Sequence, residues 1–236
     1  HAVQISLRHF RFNFSIIREI YRVGLPSIIM QAMGSLVGSI VNFVLSGFSE
    51  AAIAVLGGYN KLQSFVFMPV FGLTHGLMPI MGYNYGARKK ERIYSALRIG
   101  FLIALGIMAV GTLLFELFPQ LLLGVFNPSE EMLEIGVPAL QTISLSFIFA
   151  GFSIITLSVC QALGHGFMGL VVSVVRQLVV LVPVAYLLSR TGVLSAIWWA
   201  FPIAEVVAVS LAAIFLRQVY RKEIKPLEET ANSKPV

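Results

Sequence analysis

Lys61, Arg176 and Glu205 each interrupt an apolar run long enough to cross a lipid bilayer. A charged side chain near the bilayer centre costs at least about 2.5–3.5 kcal/mol on insertion scales, so each needs a partner, a watery cavity or a task. On a helix rising about 1.5 Å per residue, Lys61 lies roughly 14 Å from the start of its run, Arg176 roughly 12 Å and Glu205 roughly 15 Å. In a hydrocarbon core of about 30 Å, all three approach the same middle layer. The short turn around "SRTGVLS" makes the runs carrying Arg176 and Glu205 antiparallel neighbours. These two residues are therefore expected to pair, directly or through water or polar side chains. Two roles are open to the pair: pinning two helices together, or keeping Glu205 as a titratable group in an ion or proton pathway. Lys61 is expected to share that carboxylate or to face a watery cavity.

Polar residues without charge are weaker signals. Gln31, Asn42 and Gln63 are candidates for lining a cavity, and Gln141, Gln161 and Gln177 lie in or beside apolar runs in the same way. Each would serve equally as an interhelical hydrogen bond. His75 and His165 fall near one membrane face with no second ligand at metal spacing, so both read as structural and no metal site is expected. Cys160 sits alone in an oily run, which excludes an internal disulfide framework and leaves it a small hydrophobe.

The elements that must position these residues follow from composition. The chain is 57% hydrophobic and only 12% charged, with a mean hydropathy of +0.86. A soluble domain of this size could not hide so much apolar surface. A net charge of +6 would point to nucleic acid in a soluble protein. Here the basic residues stand between oily runs, the pattern of a membrane protein, and no nucleic-acid partner is expected. Stretches near 25–47, 52–80, 96–118, 132–160, 168–188 and 195–216 approach or exceed the roughly 20 residues a spanning helix needs. Inside lipid every backbone amide needs an internal partner, so runs of this length are helices. The fold class is thus all-α, a polytopic bundle of six transmembrane helices over 25–216. A short interfacial helix over 13–24 precedes it, with Ile16, Ile17, Ile20 and Val23 on one face and Arg18 and Arg22 on another. Pro26 suits the start of the first span. Pro69 and Pro79 are expected to bend the second.

Basic residues set the orientation. Arg8, Arg11, Arg18 and Arg22 precede the first span. Arg88, Lys89, Lys90, Arg92 and Arg98 follow the second, and Arg217, Arg221, Lys222 and Lys225 follow the sixth. The opposite side holds Arg190 and the acidic turn "NPSEEMLE". Both ends are therefore expected in the cytoplasm, residues 1–24 as a linker and 217–236 as a basic tail. The chain begins with His1 and lacks a secretory leader pattern, and it is expected to be part of a longer polypeptide. It carries no H-E-x-x-H, C-x-x-C, Walker or G-x-S-x-G pattern and no aspartate at all. No enzyme is expected.

Between the second and third runs stands "PIMGYNYGARKKERI", where Gly82 and Gly86 bracket Tyr83, Asn84 and Tyr85. With "GLPSIIMQ" (24–31), "CQALG" (160–164), "SVVRQLVVLVPVAYLL" (173–188) and "WWAFPIAE" (198–205), in this order and spacing, it resembles the C-terminal six-helix half of the multidrug and toxic compound extrusion (MATE) family. The likeness covers nearly all of 13–222. It implies a twelve-helix, two-lobed antiporter of a bacterial cytoplasmic membrane, with this chain as one lobe and a six-helix N-terminal lobe as its partner. It further implies export of small organic cations or amphipathic compounds in exchange for Na⁺ or H⁺, with no other cofactor. A flippase of lipid-linked or polysaccharide intermediates shares the two-lobe plan and is the alternative. The resemblance makes residues 82–86 a structural or gating loop at the cytoplasmic rim. Some family members hold a cation with carboxylates in the first and fourth helices of this lobe. Here the first run has no acid and the fourth has only Glu134 at its mouth. Either Glu205 is the ion-coupling group, or that group lies in the other lobe.

Overall fold

The computed structural model describes residues 12–227; Arg8 and Arg11, and the outer parts of the linker and tail, lie outside them. Its helices are α1 (Phe14–Ser46), α2 (Glu50–Gly86), α3 (Lys90–Leu117), α4 (Pro119–Gly124) and α5 (Glu130–Ser144). They are followed by α6 (Phe147–Ala162), α7 (Gly166–Val174), α8 (Val182–Ser189), α9 (Leu194–Ile197) and α10 (Ala200–Val219). A π-helical stretch, Val175–Leu181, joins α7 to α8, and a second, Tyr220–Ile224, ends α10. Among the described residues there is no strand.

Five helices are long and apolar enough to cross a membrane, and α5 with α6 makes a sixth span bent by 46°. The molecule is thus an all-α membrane bundle of six spans. Large apolar side chains face outward along it, Phe43 at 80% and Phe65 at 77% exposure, as lipid-facing helices require. Lipid supplies no hydrophobic force between helices, so they associate through close packing and hydrogen bonds. Gly111 illustrates the packing: a Cβ there would lie 2.3 Å from Val66 Cγ1. Buried Phe115, Phe147 and Phe67 interlock edge to face at 5.0 and 5.2 Å, joining the second, third and fourth spans.

Helix starts follow their caps. Ser49 accepts a hydrogen bond from the Ala52 amide at the head of α2, and Ser129 one from Met132 at the head of α5. In each case glutamate occupies the first turn, favoured by the helix dipole. The turn between α6 and α7 is made by Gly164 at φ +90°, a conformation side chains resist.

The structure departs from the sequence reading in four places. First, the separate interfacial helix is absent as such, because α1 runs unbroken from Phe14 and takes Pro26 into its interior. Proline there removes one amide donor, and the remaining ladder carries the helix through. The apolar window still begins at Gly24. Second, α2 continues to Gly86, so Gly82, Tyr83, Asn84, Tyr85 and Gly86 are its last turns and not a loop. The turn falls at Arg88, with φ 55°, once the chain has reached charged residues that water can solvate. Third, the fourth span breaks at Leu145 and Ser146. There Ser144 and Ser146 donate to the carbonyls of Gln141 and Ile143, competing with the helical ladder. Thr112 on α3 donates to the carbonyl of Ser144 at 3.2 Å, compensating at the break. Fourth, the fifth span changes pitch. Pro183 has no amide proton for the carbonyl four residues back, and the Val182 amide reaches back five residues to Gln177.

Candidate functional site

That change of pitch lies where Arg176 and Gln177 stand, and it aims them across the bundle at α10. Arg176 donates from Nη1 to Glu205 Oε2 at 3.1 Å, so the contact expected of these residues is made. The Glu205 side chain is 8% exposed and that of Arg176 is 37%, placing the acid inside and the guanidinium at a rim. Glu205 Oε1 is buried and has no hydrogen-bond partner among the described residues. An orphaned carboxylate oxygen is costly to bury and marks a place where a donor or cation would be stabilised.

The pair borders a cavity of about 390 Å³. The first span contributes Gly34, Ser35 and Gly38 to its wall, and α2 contributes Tyr59, Asn60 and Gln63. The π segment and α10 add Arg176, Gln177, Phe201, Ala204 and Glu205, and Ser146 and Ala150 at the head of α6 complete it. One carboxylate, one guanidinium, two amides of glutamine and one of asparagine thus meet aromatic rings and small residues. Such a surface can hold a flat or amphipathic cation against the rings, with polar groups to orient it. Among the described residues no group of three His, Cys, Asp or Glu side chains could cage a metal.

The expected site residues separate. Gln63 lines the cavity, whereas Gln31 and Asn42 on α1 do not. Lys61 does not join the Arg176–Glu205 pair. It is exposed, and it lies about 200° around α2 from the cavity-facing Tyr59. Depth alone suggests a meeting that the azimuth forbids. Gln141 proves to be interhelical, donating to the carbonyl of Glu116 at 3.1 Å. Tyr59 and Asn60 were missed, although "GGYNKLQ" places Tyr59, Asn60 and Gln63 within reach of one helix face.

A second polar cluster closes the basic end. Tyr85 donates to Glu223 Oε2 at 3.0 Å, and His165 Nε2 contacts Glu223 Oε1. The last turn of α2, the α6–α7 turn and the end of the sixth span are thereby tied together. Glu223 was missed because its only local signal is being the one acid in "RKEIK". Asn84, also buried there, donates to the carbonyl of Ile80 at 2.8 Å.

The fold is thus a helical membrane bundle with a broken fourth span, a π-distorted fifth and a half-polar cavity on one side. The comparisons give its family. The MatE family model matches residues 26–187, and the chain belongs to that family. The multidrug export protein MepA of Staphylococcus saprophyticus is 26% identical over 222 residues, covering 94% of this chain and 49% of that protein. MepA of Staphylococcus aureus is 24% identical over 227 residues, with the same coverage. A multidrug resistance MATE transporter of the MOP superfamily, solved facing outward, superposes at a TM-score of 0.83 with 26% identity. That match covers 97% of this chain and 51% of that one. A Pyrococcus furiosus MOP-superfamily transporter, whose binding pocket is described as reversed in polarity and as suggesting a different function, superposes at 0.83 with 25% identity. There the match covers 96% of this chain and 50% of the other. The chain therefore spans about half the length of the relatives it matches.

Proposed function

We infer that this chain is the C-terminal lobe of a secondary active exporter that moves cationic or amphipathic compounds out of a bacterial cell against Na⁺ or H⁺. Its partner is a six-helix N-terminal lobe, and the basic end of the bundle faces the cytoplasm. The observation that carries this reading is the cavity with a buried glutamate holding one oxygen on Arg176 and the other unpaired. A group so placed can take a coupling ion or proton on Oε1 and loosen its hold on Arg176. Ion binding and cavity electrostatics are then linked. Residues 82–86 and the Tyr85–Glu223–His165 cluster act as a structural or gating tie at the cytoplasmic rim.

The flippase alternative calls for a more basic cavity to hold a pyrophosphate. The single arginine among the cavity residues is countered by Glu205, and Lys61 lies outside it. Both observations support the drug-export reading.

Glu205→Gln in the full-length protein is the direct test. Efflux in proteoliposomes under imposed Na⁺ or H⁺ gradients should fall toward that of empty vesicles, and the gradient that drives the unmodified protein identifies the ion. Unchanged drug resistance at normal expression would reduce Glu205 to a helix-pinning role.

A further inference from the structure

A second hollow, of about 520 Å³, opens between α3 and α10. Its floor is the stacked pair Phe101 and Phe152, with ring centroids 5.0 Å apart and planes 17° from parallel. Leu105 and Ala213 flank the deeper part. The polar residues gather at one end, with Tyr94 and Arg98 from α3 and Arg217 and Tyr220 from the end of the sixth span. From Tyr94 to Leu105 the groove runs roughly 16 Å along α3 toward the middle of the membrane. It is therefore an open apolar trough whose mouth carries two cations and two aromatic hydroxyls at the basic end.

Both arginines are exposed, and neither makes a hydrogen bond or ion pair with another described residue. Glu223, the nearest acid in sequence to Arg217, is engaged by Tyr85 and His165. Two guanidiniums with no counter-charge among the described residues, at the head of an apolar groove, suit an anion with an apolar body, and tyrosines suit the depth of the headgroup layer. A soluble anion would leave the trough without an occupant, and a neutral lipid would leave the arginines without one.

We propose that this groove is a binding site for an anionic phospholipid of the leaflet bordering the basic end. Its phosphate would lie between Arg98 and Arg217, and one acyl chain along Phe101 and Phe152. The site shares no lining residue with the transport cavity. It would couple lipid composition to the packing of the third and sixth spans.

The test is native mass spectrometry of the intact protein titrated with phosphatidylglycerol and with phosphatidylcholine of identical chains. Phosphatidylglycerol should bind more tightly. Arg98→Gln and Arg217→Gln should each weaken it about fivefold, following the roughly 1 kcal/mol a basic residue contributes near an anionic surface. Arg98→Lys and Arg217→Lys should keep most of the preference. Ala213→Phe, which fills the trough with the charges intact, should weaken both lipids alike. Tens of millimolar inorganic phosphate should displace neither. Equal binding of the two lipids would overturn the proposal. So would full retention by the folded double Gln variant, displacement by phosphate, or selective occupation by an amphipathic drug in place of lipid.

Discussion

At the residue scale, the Arg176–Glu205 pair is an unequal partnership between a buried acid and a rim-exposed base. Removing the base should hurt more than removing both, because it strands a carboxylate that already has one unpaired oxygen. We expect Arg176→Ala to destabilise the protein by about 1–3 kcal/mol. The Arg176→Ala/Glu205→Gln double variant should recover part of that loss. Thermal unfolding in detergent across the four-member cycle would read the coupling, and strict additivity would show that the contact has no energetic weight. The three charges were legible from sequence, since an apolar run makes any charge conspicuous. Which of them meet was only half legible. Arg176 and Glu205 stand on consecutive spans joined by a short turn, which leaves few alternatives. Lys61 does not share the carboxylate, because depth is set by counting along a helix and direction by packing around it.

Among the elements, the fifth span decides the site's geometry. Pro183 interrupts the amide ladder, and the chain absorbs the defect as a π segment over Val175–Leu181. One extra residue in the turn rotates everything before it by about 100° relative to the residues after it. Pro183→Ala restores the missing donor. It should allow the segment to return to α-helix, turning Arg176 away from Glu205. The expected result is transport reduced to a small fraction of the unmodified rate, with helical content by circular dichroism unchanged. Full transport with an intact Arg176–Glu205 contact would show that the proline does not hold the register. The existence of this helix was plain from its apolar run, whereas its pitch was not. The fourth span teaches the same lesson. Its length and hydropathy predict one straight helix over 132–160, but Ser144, Ser146 and Thr112 together support a break that hydropathy does not register.

For the whole molecule, orientation is the property that most directly governs mechanism. The basic end holds the α2–α3 turn, and the opposite end holds the acidic turn before α5. Lys89 and Asn127 are both exposed, and Cys160, the single native thiol, is buried. Lys89→Cys should react with a membrane-impermeant thiol reagent only after permeabilisation, and Asn127→Cys in intact cells. The reverse pattern would invert the proposed orientation. Composition, the length of the apolar runs and the distribution of bases were sufficient by themselves to establish an all-helical membrane protein of six spans. In lipid an unpaired backbone is too costly to allow another solution. What only the tertiary structure decided is local: the pitch at Arg176, the break at Leu145, the helical state of residues 82–86, and the side of α2 that meets the cavity. Each of these turns on about a residue's worth of rotation or on a side-chain hydrogen bond, energies too small to leave a mark in hydropathy and large enough to aim a charge.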